Sequence, residues 1–213
     1  MRVIALIVLV ASSWWPRATP PLRIAPGIIV AIGDSITHGY GAPAGSDWPT
    51  DLARMLPAGY RMINMGIDGN TLVPSGAHCR RCGPPGVGRA AAALAVPGIS
   101  LLIVALGVND ILQGTGDAAI EAGYRRVAAM AHARGIPVIA LTVAPSRLVP
   151  GRVAALDAWL LGSNTFDMVL DDRAALGGDA LAARYDSGDG LHPDAAGYRA
   201  IASTIAHGVW YAK

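Results

Sequence analysis

The chain has 213 residues, 53% hydrophobic and 15% charged, with 17 basic residues against 15 acidic ones. That length builds one sizeable core and falls short of two ordinary domains, and the apolar fraction excludes disorder. The near balance of charge, with no run of Lys or Arg able to neutralise a row of phosphates, argues against nucleic acid as a partner. The 26 glycines and 15 prolines lie below the range of collagen-like chains, and the single Phe points to a core of Val, Ile, Leu and Ala.

The chain opens with Met1 and Arg2, an unbroken apolar run from Val3 to Ala11, Ser12 and Ser13, a Trp14–Trp15 pair, and then Pro16, Pro20 and Pro21. A basic start, a short apolar stretch and small residues have the order of a secretory signal. The expectation is a signal peptide over 1–13, a Pro-rich linker over 14–27, one domain over 28–213, and export to the periplasm or medium. The run is too short for a comfortable membrane span of about 20 residues. An uncleaved signal would instead tether the protein, with the Trp pair at the membrane surface.

From the linker onward, strand-length apolar runs alternate with helical ones. Strands are expected at Ile28 to Ile32, Arg61 to Met65, Leu101 to Leu106, Val138 to Leu141 and Phe166 to Leu170. Helices are expected at Trp48 to Leu56, capped by Ser46 or Asp47, then Arg89 to Ala95, Asp117 to Arg134, Val153 to Leu161 and Asp194 to about His207. Strict alternation predicts an α/β fold: a flavodoxin-like three-layer α/β/α sandwich around a five-stranded parallel sheet.

Cys79 and Cys82 stand in AHCRRCGPPG. In an exported protein this spacing reads as a disulfide pinning a loop. A redox pair would open a helix, and Gly83-Pro84-Pro85-Gly86 is expected to continue none. His78 beside the pair permits a metal ligand, but without a second cluster no metal is expected.

In parallel sheets, ligands bind beyond the carboxyl ends of the strands. Polar residues directly after apolar strands are therefore candidates: Gly33-Asp34-Ser35, Asn64 to Asn70, and Gly107-Val108-Asn109-Asp110. Ser35, in GDSITHG, is placed to be a nucleophile, and a hydroxyl at neutral pH needs a base held by a third group. Among five histidines, His192 in DGLHP has Asp189 three residues ahead, a spacing that lets the carboxylate fold back on the imidazole. Asp186 is the rival carboxylate. His38 is expected in a turn lining the site, and His132 and His207 on helices away from it. Backbone N–H groups of Ser35 and Gly69 with the Asn109 amide would form an oxyanion hole.

GDSI, a Gly in the second block, GVND and DGLH resemble, in that order, the four blocks of the SGNH/GDSL hydrolase family, over roughly Ile28 to His207. The resemblance implies Ser35 as nucleophile, Gly69 and Asn109 as oxyanion donors, Asp189 as orienting carboxylate and His192 as general base and acid. Gly66 competes with Gly69 for the second block; IDGNT favours Gly69. It also implies a three-layer fold and ester hydrolysis without metal or organic cofactor, on small-molecule or polysaccharide esters. Lysophospholipids, thioesters, aryl esters and O-acetylated sugars all fall within the family's range. YDSGDGLHPDAAGYRAIA is similar to members acting on acetylated polysaccharide, whereas GDSITHGYGAP with SDWPTDLARML is similar to the lysophospholipase and arylesterase branch. Leu72, Val73 and Leu148 are candidates for an acyl pocket or for ordinary packing.

The competing function is an exported carbohydrate- or lipid-binding module on the same fold, which has no need of Ser35, Asp189, His192 and Asn109 together. GVGRAA and GTGDAA match a relaxed dinucleotide fingerprint, but neither directly follows a strand. GxSxG, HExxH and paired carboxylates are absent, which sets aside α/β-hydrolases, zinc proteases and glycosidases.

Overall fold

The computed structural model describes residues 22–75 and 82–211. The expected signal peptide, most of the linker, His78 and Cys79 lie outside these, and with them the Cys79–Cys82 bridge. Five strands form the sheet: β1 (Ile28–Gly33), β2 (Arg61–Gly66), β3 (Ile99–Ala105), β4 (Val138–Leu141) and β5 (Met168–Leu170). All neighbours are parallel, in the order β2-β1-β3-β4-β5. The interiors of β1 and β3 are almost wholly apolar because helices cover both faces.

Eight α-helices lie among the described residues, in order α1 (Ser35–His38), α2 (Trp48–Met55), α3 (Gly86–Leu94), α4 (Val108–Leu112), α5 (Asp117–His132), α6 (Pro150–Gly162), α7 (Asp172–Leu176) and α8 (Ala195–Ala206), with a π-helix over His207–Tyr211 after the last. Helices α2 and α8 pack together on one side, and α3 with α5 on the other, which completes the expected three layers. None of the described helices is long and apolar enough to cross a membrane. Ahead of β1, Leu22 and Ile24 rest on the core, and the Tyr60 hydroxyl donates to the Ile24 carbonyl at 2.6 Å.

The departures from expectation have local causes. Helix α3 begins at Gly86 rather than Arg89, so the Gly-Pro-Pro-Gly string does run into a helix. Its first N–H groups are satisfied from outside, Gly86 donating to the Thr71 carbonyl at 2.8 Å and Val87 to that of Leu72 at 2.9 Å. Helix α6 starts at Pro150, three residues earlier than its apolar periodicity, because proline is pre-shaped for a first turn. Strand β5 is three residues instead of five: Phe166 turns edge-on to Tyr124 and Trp159, and the Asp167 carboxylate accepts from the Val138 N–H at 2.8 Å. Helices α1, α4 and α7, of four or five residues, are too short to show a period.

Two features at the carboxyl edge bear on stability. The end of β2 lies directly under α1: a Cβ added to Gly66 would sit 2.2 Å from the His38 nitrogen and 2.7 Å from the Thr37 carbonyl carbon. Beyond β4 and β5, buried Asp157 accepts from the Val143 N–H at 2.7 Å, and buried Asp172 accepts from the Thr142 hydroxyl at 2.5 Å. Burial pushes Asp157 up to about 7, against the Val143 N–H and Arg173, and Asp172 up to about 8, against the Thr142 hydroxyl.

Gly66→Ala is expected to cost about 1–3 kcal/mol in urea denaturation, because the clash is with the backbone of α1. For Asp172, the folded-state value lies above its ordinary 3.8, so the native chain holds the extra proton and stability falls as pH rises from about 4 to about 8. Asp172→Asn should flatten part of that fall, gaining on the parent chain at pH 8 relative to pH 5 in denaturation midpoints.

Candidate active site

Ser35 is the first residue of α1, directly beyond β1. Asp34 caps the helix, its carboxylate accepting from the Ile36 N–H at 2.9 Å. Facing Ser35, the turn before α8 carries His192, and α8 is capped by Asp194, which accepts from the Gly197 N–H at 2.9 Å. The two segments bring the Ser35 Oγ to 2.9 Å from His192 Nε2. His192 Nδ1 is in turn 2.6 Å from Asp189 Oδ2. An ionised carboxylate only accepts, so Nδ1 carries the proton of the neutral ring and Nε2 is left to accept from the serine hydroxyl.

Asp189 is itself held in place, its Oδ1 accepting from the Leu191 N–H at 2.9 Å and the His192 N–H at 2.8 Å. Partial burial works against the charge, but those N–H groups and the imidazole outweigh it and hold the carboxylate below its ordinary range. Asp186, the rival, makes no contact with the imidazole. It accepts from Gly188 at 2.8 Å and Gly190 at 3.0 Å and so shapes the turn. The Tyr40 ring lies 4.6 Å from that of His192 and is 54% exposed. Its backbone is tied down, the N–H donating to the Ser35 carbonyl at 2.9 Å and the carbonyl accepting from the buried Tyr198 hydroxyl at 2.6 Å.

The loops after β2 and β3 meet beside Ser35's strand. Gly69 has φ +69°, a left-handed turn suited to glycine. Gly66, its competitor, is the floor on which α1 sits. Asn109 Nδ2 donates to the carbonyl of buried Asn70 at 3.1 Å, which places that amide one residue from Gly69. Asp110 accepts from the N–H groups of Leu72 at 2.7 Å and Val73 at 3.1 Å; burial raises its pKa despite those bonds. His38, at the end of α1 rather than in a turn, pairs with Asp68 at 2.8 Å on the exposed rim.

The structure thus gathers Ser35, His192 and Asp189 into one hydrogen-bonded line and sets Asn109 against the Gly69–Asn70 turn. Of the acyl-pocket candidates, Leu72 and Val73 are core residues and only Leu148, 57% exposed, faces outward. His132 pairs with Asp167 at 2.9 Å, and His207 donates to the Ser203 carbonyl at 2.8 Å. Asn70 and Asp110 stand within the candidate segments after β2 and β3, but the sequence alone assigns them no role of their own there, and Arg89, inside the string GVGRAA, and Tyr40 carry no sequence signal for the site.

Residues 31–200 match the GDSL-like Lipase/Acylhydrolase family. Among solved structures, a putative lipolytic protein of the G-D-S-L family from Desulfitobacterium hafniense DCB-2 is similar at TM-score 0.71 and 19% identity, over 85% of this chain and 99% of that one. The aryl esterase of M. smegmatis is similar at TM-score 0.67 and 18% identity, over 85% and 97%. A carbohydrate acetylesterase from Sinorhizobium meliloti is similar at TM-score 0.64 and 20% identity, over 84% and 96%. No curated protein matches the sequence. With a family match over most of its length and the same five-stranded parallel architecture as these structures, the chain belongs to the GDSL-like lipase/acylhydrolase family.

Proposed function

We propose that this protein is an exported serine esterase that hydrolyses carboxylic esters through an acyl-enzyme. The observation that carries the reading is the unbroken line from Ser35 Oγ to His192 Nε2 at 2.9 Å and from His192 Nδ1 to Asp189 at 2.6 Å. Ser35 Oγ attacks the ester carbonyl while its proton passes to His192 Nε2. The imidazolium is stabilised by Asp189, and the oxyanion by the N–H groups of Ser35 and Gly69 and by Asn109. Asn109 spends one amide hydrogen on Asn70 and keeps the second for the substrate. Collapse breaks the bond to the alcohol oxygen, which leaves with the proton from His192, and a water repeats the sequence on the acyl group to release the acid.

Aryl, short-chain acyl, lysophospholipid and O-acetyl sugar esters are the proposed substrate range. Support comes from the names of the aryl esterase and carbohydrate acetylesterase that share the fold, and from exposed Tyr40 beside His192. A chain-length series of nitrophenyl esters run beside acetylated xylan orders these classes. Export rests on the order of residues in 1–13 alone.

Ser35→Ala is expected to remove nearly all hydrolysis of nitrophenyl acetate with an unchanged circular dichroism spectrum; substantial remaining turnover would place the nucleophile elsewhere. Asp189→Asn should lower kcat on the order of 10⁴-fold because an amide favours the wrong imidazole tautomer. Asp186→Asn should do little, since its amide oxygen still accepts from Gly188 and Gly190. Asn109→Ala should lower kcat by about a hundredfold and shift KM far less; steady-state kinetics in which only KM moved would contradict the oxyanion role.

A further inference from the structure

Oxyanion stabilisation demands that two loops from different strands hold their donors in fixed register with the serine, because donors act only at hydrogen-bond distance from where charge develops. Within this chain the nucleophile arrives from β1 and the Gly69 turn from β2. Beyond the strand ends the two segments meet through the Ile67 N–H, which donates to the Gly33 carbonyl at 3.2 Å, through Asn64, whose amide donates to the Thr37 carbonyl at 2.8 Å, and on the exposed rim through the His38–Asp68 pair. A further side chain spans that gap and also reaches Asn70. Arg89, on α3, donates from Nη2 to the Gly33 carbonyl at 2.8 Å, two residues before Ser35. The same nitrogen donates to Asn70 Oδ1 at 2.7 Å, one residue past Gly69. Its Nη1 donates to the Met65 carbonyl at 2.5 Å, at the end of β2.

Asn70 passes the constraint on. Its side-chain nitrogen donates to the Cys82 carbonyl at 2.5 Å and the Pro84 carbonyl at 2.9 Å, which fixes the amide's orientation. Its backbone carbonyl takes the hydrogen bond from Asn109 at 3.1 Å. A planar guanidinium with several rigid donors suits this task, since it meets acceptors from separate segments at set angles. A lysine ammonium is a flexible point donor and cannot hold three such acceptors in one plane.

We infer that Arg89 is a positioning residue for ester hydrolysis, setting the Gly69–Asn70 turn and, through Asn70, the Asn109 amide in register with Ser35. This rests on the esterase reading above and adds to it a residue that touches neither substrate nor triad. It predicts loss of transition-state stabilisation with ground-state binding preserved, a pattern that simple packing does not produce.

The test uses the full chain with Arg89→Ala and Arg89→Lys, nitrophenyl acetate as substrate and phenylboronic acid as a probe that forms a tetrahedral adduct on the serine. Alanine is a good helix former, so the change is compatible with α3. For Arg89→Ala, kcat should fall on the order of a hundredfold with KM little changed. The affinity for phenylboronic acid should fall by the same factor as kcat/KM, and ethylguanidinium should restore part of kcat to this variant and none to the parent. Arg89→Lys should be intermediate. A folded Arg89→Ala enzyme with the parent's kcat and boronate affinity would overturn the inference, as would a loss confined to thermal stability. If Arg89→Ala does not fold, Arg89→Lys decides by the same two readouts, and parental values there overturn it. A parent chain that hydrolyses no ester would sink the esterase reading and this inference together, whereas a variant indistinguishable from an active parent sinks the inference alone.

Discussion

Burial of β1 between β2 and β3 is the constraint from which the site follows. A strand paired on both sides and covered on both faces has no freedom of register, since a one-residue slip would reverse every side chain. Its parallel neighbours end on the same edge of the sheet. The chain segments leaving all three strands are therefore brought side by side, and they contain Ser35, Gly69 and Asn109. The fourth contributor, the turn with Asp189 and His192, is brought to that edge by α8, which packs on α2 and bonds back to the Ser35 helix through Tyr198 and Tyr40.

Holding polar loops at the edge of an apolar core carries a cost, because buried donors and acceptors must find partners or lose about 1–3 kcal/mol each. This chain meets it with carboxylates and one guanidinium. Asp34 caps α1, Asp110 takes two N–H groups of the loop after β2, and Arg89 takes two strand-end carbonyls. The desolvation shifts the charge balance of these groups. Burial pushes Asp34 up to about 7 despite the Ile36 N–H, with Asp110 adding to the effect and Arg89 opposing it. The paired members of this network hold their dipoles in place, while Arg89 Nε is buried with no hydrogen-bond partner among the described residues.

The candidate-site groups thus fall into two tiers that differ in what holds them. Asp189 and His192 lie three residues apart in one Gly-rich turn, and that turn is built almost entirely from its own hydrogen bonds, with Asp186 and Asp189 both accepting from nearby backbone. The Gly69–Asn70 turn has less internal support, the Asn70 N–H donating to the Ile67 carbonyl at 3.0 Å. It is held by α3, by the segment before α3 and by α4, through Arg89, Asn70, Asn109 and Asp110.

What the sequence by itself determined is whatever short-range chemistry controls. The alternation of apolar strands with helices required a parallel sheet, the GDSI, GVND and DGLH strings named Ser35, Asn109, Asp189 and His192, and the three-residue spacing of Asp189 and His192 brought carboxylate and imidazole together. What only the tertiary structure decided involves contacts over long separations. The choice of Asp189 over Asp186 came from the fold of their shared turn, in which Asp189 reaches the imidazole and Asp186 accepts from Gly188 and Gly190. Gly66 and Gly69 were separated by the packing of α1 on one and the left-handed turn at the other. The start of α3 at Gly86 depended on carbonyls of Thr71 and Leu72, and the parts played by Arg89, Asn70 and Asp110 depended on partners 12 to 56 residues away. A local string carries no record of which distant acceptor a buried side chain will meet, because that partner is chosen only when the core closes and leaves it no water.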